Sequence, residues 1–424
     1  MLDQKKTIWS WALYDWANSA FATTVMAGFF PLFFKGYWAD PTNPGQSTFY
    51  LGVANSTASI IVAALAPFLG AVADRSSAKK KFLMLFAFLG IIMTGALWMV
   101  AQGNWVLAVV FYVGGTVGFS GGNIFYDSLL PGVASEKKVD YASSLGFSLG
   151  YIGGGLLFLV NVLMYLKPAM FGIPDAPTAI KLSFLSVSIW WALFSIPVFL
   201  FVKEPFRQNA EPIMTAVRTG WKQLMGTLSE IRHLKIVGLF LLAYWLYMDG
   251  VDTIIRMAVD YGMSLGFPSS SLITALLMVQ FIAFPATLLY LKVASWLGTK
   301  KAVMVAIGGY IIITVFAYFM ATQWHFYVLA AAVGLFQGSI QALSRSLYAR
   351  IIPANKSAEF FGFYNMLGKF AVFFGPLLMG SVSYLSGNPR FGIFSIIILF
   401  VAGGYLLSRV DIEQGEKIAK EYLA

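Results

Sequence analysis

The sequence predicts an all-α membrane protein with twelve transmembrane helices in two pseudo-symmetric six-helix bundles. Three observations carry this. The first is composition: 58% of the 424 residues are hydrophobic and 11% are charged, against about 25% charged in a soluble domain. A large water-soluble core is excluded. The second is the recurrence of apolar runs near the ~20 residues that a helix needs to cross ~30 Å of hydrocarbon. The third is punctuation. Lys and Arg collect in every second connection, and the longest connection leaves six runs on either side of it.

In order, the runs fall at 8–36, 48–73, 82–101, 105–131, 141–166, 179–202, 236–262, 269–292, 301–322, 325–352, 358–386 and 391–409. The joins Gln102-Gly103-Asn104 and Gln323-Trp324 are so short that the runs they link must be antiparallel neighbours. The resulting division is a first bundle over 1–202, a connecting segment over 203–235, a second bundle over 236–410 and a tail over 411–424. In the connecting segment Met214, Val217, Trp221, Leu224, Leu228 and Ile231 recur at helical steps, with Arg218, Lys222 and Arg232 off the stripe. This predicts a basic amphipathic helix, lying on the membrane surface or on the protein's own face.

Charge supplies the orientation. Lys5 and Lys6 precede the first span; Arg75 and Lys79 to Lys81 follow the second; Lys137 and Lys138 follow the fourth. The same alternation continues through Lys300, Lys301, Lys356 and Arg409, which places both termini in the cytoplasm. The net charge of +10 is therefore an orientation signal in the cytoplasmic (inner) membrane rather than a nucleic-acid footprint. There is no cysteine and only two histidines, which excludes thiol chemistry and argues against any metal or cofactor site. No cleavable signal peptide is expected, because 7–34 is too long and too aromatic. The expected partners are a small-molecule substrate and membrane lipid, with no nucleic acid, for a chain acting as a monomer.

Ionisable residues inside the spans mark the candidate site, since each costs about 2.5–3.5 kcal/mol at membrane depth on insertion scales. In the seventh span Asp249, Asp252 and Arg256 follow i, i+3, i+7 spacing and share a face. Asp252 and Arg256 make a candidate switchable pair. Trp11, Asp15 and Asn18 share a face of the first span, and Asn123 and Asp127 are one turn apart on the fourth. Tyr151 stands on the fifth, Gln341 on the tenth, and Asn365 and Lys369 one turn apart on the eleventh. Lys369, ~16 Å from the end of its span, needs a carboxylate partner or an anionic cargo group. Asp127, Arg345 and Arg350 lie near a membrane boundary and read as gate ion pairs. Asp249 and Asp15 are the candidate proton carriers, because a carboxylate in a dry cavity takes up a proton more readily. Asp15, Asp249 and Lys369 are expected to converge on one cavity.

The halves repeat weakly: Phe125-Tyr126-Asp127-Ser128-Leu129-Leu130-Pro131 compares with Leu347-Tyr348-Ala349-Arg350-Ile351-Ile352-Pro353, and Gly146-Phe147 with Gly362-Phe363. Such repeats with a site between them are a transporter architecture. The join Gly70-Ala71-Val72-Ala73-Asp74-Arg75-Ser76-Ser77-Ala78-Lys79-Lys80 resembles the loop signature of the major facilitator superfamily through Gly70, Asp74, Arg75 and Lys79. Ser77 and Ala78 depart from it. The resemblance implies a charge lock through Asp74 and Arg75 that closes one side. The matching join, 295–301, keeps Gly298, Lys300 and Lys301 but lacks an aspartate to carry a second lock. Trp9-Ser10-Trp11-Ala12-Leu13-Tyr14-Asp15-Trp16-Ala17-Asn18-Ser19 resembles one branch, the Unknown Major Facilitator family, relatives of the fungal vacuolar amino-acid effluxer.

Together these predict a secondary active transporter, not an enzyme. It would move a small polar or zwitterionic, amino-acid-like solute by alternating access, coupled to protons. Efflux of amphipathic toxic compounds is the alternative. A membrane enzyme would need a nucleophile–base or metal constellation that no motif here supplies, and a receptor on this fold would need larger loops.

Overall fold

In the computed structural model the described residues are 2–39, 44–204, 211–219, 225–226, 235–267 and 269–421; some side chains within helices, that of Lys369 included, lie outside the described set. The first half holds α1 (Lys5–Trp38), α2 (Pro44–Ser76), α3 (Lys79–Ala96), α4 (Trp105–Ser128), α5 (Val139–Leu166) and α6 (Ala176–Phe201). The second holds α7 (Lys235–Ser264), α8 (Ser269–Leu297), α9 (Thr299–Tyr318), α10 (Gln323–Ile351), α11 (Ser357–Ser386) and α12 (Pro389–Arg409). A tail helix, α13 (Ile412–Glu421), follows. Eleven of these helices are long and apolar enough to cross a membrane among the described residues. The twelfth, α11, has 30 residues and packs antiparallel to α2. Exposed Ile60, Leu85, Ile92, Ile312 and Ile398 face outward, as lipid requires and water would penalise.

Helix starts follow side-chain chemistry. Asn104 accepts from the Leu107 N–H (3.4 Å), Asp175 from Thr178 (2.8 Å) and Asn388 from Arg390 (2.9 Å), each satisfying a donor that the first turn leaves unpaired. The start of α3 is capped from outside. Glu204, just past α6, accepts from the backbone N–H groups of Lys79 (3.0 Å) and Lys80 (3.2 Å), and its burial raises its carboxyl pKa above the ordinary range. Helix α1 is regular only through Ala20; it then widens into π-helical turns over Phe21–Phe29 and Phe34–Trp38. Of the stripe expected in the connecting segment, Met214 and Val217 lie on a short exposed helical stretch at 213–219. Trp221, Lys222, Leu224, Leu228, Ile231 and Arg232 lie outside the described residues.

The halves meet along two seams, α2 with α11 and α5 with α8 and α10. At the end nearer the chain termini, α2 and α11 touch backbone to backbone. A Cβ on Gly70 would strike the Ala358 carbonyl, and one on Gly362 would lie 2.7 Å from the Ala66 carbonyl oxygen. Further along the same helices, Gly52 and Gly380 have no neighbour within 4 Å of a Cβ position. The two halves are thus pressed together on the face that carries both termini.

Because the seam closes on bare backbone, Gly70→Val should lower the melting temperature of the purified protein, an overpacking penalty of about 1–3 kcal/mol. Gly52→Val should leave it near wild type. Equal melting of both variants would show that the seam does not hold the halves together.

Candidate transport site

Between the halves lies a hollow of about 420 Å³. Its floor is organised around Arg345 of α10, which is only 2% exposed. The guanidinium reaches into the first half: Nη1 donates to Asp127 Oδ1 (3.0 Å), and Nη1 and Nη2 both lie 3.3 Å from Asp15 Oδ2. Nε donates to Ser143 Oγ (2.9 Å) and Nη2 to the Ser143 carbonyl (2.9 Å). Aromatic rings enclose it, with Phe147 at 4.2 Å, Trp11 at 4.9 Å and Tyr126 at 5.4 Å from ring centroid to guanidinium carbon. The carboxylates are themselves braced. Tyr126 donates its hydroxyl to Asp15 Oδ2 (2.8 Å), and the Asn365 amide of α11 donates to Asp127 Oδ2 (3.3 Å). Gly146 and Gly150 allow α5 to sit this close to Asp15, since a Cβ on Gly146 would crowd Asp15 Oδ2 at 2.5 Å.

Above this floor the wall is mixed. Asn18 donates to Asn123 Oδ1 (2.6 Å) within the first half, and Tyr151 donates to Gln341 Oε1 (2.6 Å) across the halves. Tyr244 and Tyr364 stack at 4.0 Å, and Phe119, Phe158, Leu276, Val279 and Phe326 supply apolar surface.

Three layers of bonds close the hollow on the termini face. The deepest is Arg345 with its two carboxylates. At the α2–α11 seam Asp74 accepts from the backbone N–H groups of Ala358 (3.2 Å) and Glu359 (2.8 Å), at the positive end of α11. Lys79 pairs with Asp74 (2.9 Å) and donates to Ser357 Oγ (2.7 Å). At the α5 seam Asp140 accepts from Thr299 (2.6 Å) and Ser346 (2.6 Å) and pairs with Arg350 (2.9 Å). The lock lacking an aspartate in the 295–301 join is therefore completed from the other half, by Asp140 at the start of α5.

Of the residues singled out in the sequence, Asp15, Asn18, Asn123, Tyr151, Asp252, Gln341 and Asn365 line the hollow, and so do Asp127 and Arg345. Trp11 lies behind the floor, fully buried, stacked on Tyr126 at 4.3 Å. Asp249 does not line the hollow: it is buried against α11, where its Oδ1 accepts from the Gly375 N–H (2.9 Å). Glycine at 375 lets α7 approach that backbone, since a Cβ there would lie 2.6 Å from Asp249 Oδ1. Asp252 borders the hollow, whereas Arg256, its expected partner, does not and is exposed. Of the expected convergence of Asp15, Asp249 and Lys369, Asp249 stands apart and the Lys369 side chain lies outside the described set; Asp15 meets Asp127 and Arg345. Arg75 does not cross the seam but pairs with Glu211 of the connecting segment (2.6 Å). Ser143 and Asp140 went unremarked in the sequence, and Phe147 entered only as part of the repeat. Only the acid in the first turn of a span beside Lys137 and Lys138 offered a signal.

Comparison with known proteins agrees with this architecture. The family profile described as "Vacuole effluxer Atg22 like" matches residues 42–420. The chain belongs to the Atg22-like family. It is 41% identical over 414 residues to the uncharacterized MFS-type transporter YxiO of Bacillus subtilis, covering 97% of this chain and 96% of that one. It is 27% identical over 310 residues to autophagy-related protein 22 of Yarrowia lipolytica, covering 66% of this chain and 52% of that one. Its fold is similar to that of the human organic anion transporter MFSD10, with a TM-score of 0.72 at 13% identity, covering 96% of this chain and 100% of that one. The protein is a multi-pass membrane transporter of the major facilitator superfamily, in its Atg22-like branch, and not an enzyme.

Removing one partner of a buried ion cluster leaves the others uncompensated, at about 3–5 kcal/mol. Arg345→Ala should therefore lower the melting temperature markedly more than Arg350→Ala, whose pairs are partly exposed. Comparable melting of the two variants would remove Arg345 from its central place.

Proposed function

We propose that this protein carries a small polar or zwitterionic, amino-acid-like solute across the cytoplasmic membrane by alternating access, in exchange with protons. The observation that carries the reading is the Arg345 bridge: a charged contact between halves at the floor of a hollow lined by both. Such a contact must form on one face when the halves close there and part when they rock the other way. Loop charge supports cytoplasmic termini, so the face closed here is the cytoplasmic one.

Side chains of both chemical kinds line the hollow. Carboxylates at Asp15 and Asp252 suit an ammonium group, and the amides of Asn18, Asn123, Gln337 and Gln341 suit a polar body. The family description, vacuole effluxer, favours export. The apolar surface of Phe119, Phe158, Leu276 and Phe326 supports the second reading, efflux of amphipathic compounds. For coupling, Asp15 is the better proton carrier of the two candidates, because it borders the hollow, whereas Asp249 is enclosed between α7 and α11.

The test is counterflow in proteoliposomes with a panel of labelled amino acids, peptides and amphipathic dyes, with and without a pH gradient. One amino-acid class should accumulate under the gradient. Asp15→Asn should abolish gradient-driven accumulation, and Asp249→Asn should retain it. Accumulation of dyes alone would support the second reading. Pumping unchanged in Asp15→Asn would return the coupling role to Asp249.

A further inference from the structure

The groups that hold Arg345 have a common origin. Trp11 and Asp15 stand on α1, Tyr126 and Asp127 on α4, Ser143 and Phe147 on α5. All belong to the first half, and the guanidinium they surround belongs to the second. The first half thus presents a complete receptor for a planar organic cation: two carboxylates, a hydroxyl and a carbonyl for the N–H fork, and three aromatic faces around it.

We infer that, once the halves part on the termini face, this cage binds the cationic head of the cargo, a guanidinium or primary ammonium group, in place of Arg345. The inference rests on the transport reading above and deepens it to cationic, amino-acid-like solutes loaded from the termini side. The physical reason is compensation. Rocking that withdraws α10 takes Arg345 with it and leaves Asp15 and Asp127 side by side without their counter-charge. Two carboxylates in so enclosed a place demand a cation. Water and an inorganic ion satisfy the oxygens but not the rings. A guanidinium or ammonium satisfies both, as the captive side chain does. Arg345 is on this account a built-in competitor: it fills the receptor when the termini face is shut, and cargo fills it when that face is open. Cargo that wins the competition also removes the bridge that keeps the face closed, so loading and opening become one event.

Chemical rescue tests the cage. In the purified full-length Arg345→Ala variant, methylguanidinium chloride should restore the lost melting temperature in a saturable, millimolar manner, where sodium chloride at equal ionic strength does not. The rescue should vanish when Asp15→Asn and Asp127→Asn are added. Equal restoration by sodium chloride, or rescue that survives loss of both carboxylates, would overturn the inference. If Arg345→Ala does not fold, the otherwise unaltered chain, which has no cysteine, serves instead. A single cysteine from Ala358→Cys, fully buried in the closed seam, should react with maleimide several-fold faster when agmatine is present. An unchanged rate would count against the inference. Proteoliposomes separate this from the transport reading. Flux of neutral amino acids with none of agmatine overturns the cationic cargo and leaves transport standing. Rescue by methylguanidinium with no flux of any solute does the reverse.

Discussion

A single guanidinium, buried in the half of the molecule to which it does not belong, sets the terms for everything around it. An arginine in the interior of a membrane bundle is tolerable only with its charge met and its donors filled. Asp15, Asp127 and Ser143 do both. That requirement draws α10 against α1, α4 and α5 at one depth, and the rest of the closed face follows. With α10 held, Tyr151 reaches Gln341 above the floor and Asp140 reaches Ser346 and Arg350 below it. The polar contacts of the seam are thus ranked by depth, from enclosed ion cluster to partly exposed pairs, and screening by salt and water rises in the same order.

The two seams of the closed face achieve one end by different chemistry. Along α2 and α11 a carboxylate meets bare backbone N–H groups at a helix start, with glycine at 70 and 362 bringing the helices into backbone contact. Along α5 the carboxylate meets hydroxyls and a guanidinium, and comes from the first turn of its helix, whereas Asp74 comes from the last turn of α2. The pseudo-symmetry of the halves is therefore one of shape more than of residues. What each seam needs is a negative group facing donors, and either half can supply it.

Much of the architecture could be read directly from the chain. The length of an apolar run is a property of one segment alone, so the helices stand where hydropathy puts them, within a few residues. The lock at Asp74 was legible because its spacing is local. The floor of the hollow was not. Asp15 and Arg345 are 330 positions apart, and nothing local says that they meet. Asp249 shows the limit of reasoning by helical face. Its spacing with Asp252 set the two on neighbouring sides of α7, yet the 60° between them at 100° per residue separates a neighbour's backbone from the open hollow. The deciding feature was on another helix, at Gly375, where a missing side chain offers an N–H to Asp249.

The uneven winding of α1 has its own consequence. Through Ala20 the helix is regular, and that stretch carries Trp11, Asp15 and Asn18; beyond it lie the wide turns of Phe21–Phe29. A wide turn holds one residue more than a regular one, so rewinding it as regular helix would lengthen the helix by ~1.5 Å and swivel all that follows by ~100°. The slack in α1 is thus stored in the half of the helix beyond Ala20, away from the turns that Tyr126 and Arg345 hold through Asp15.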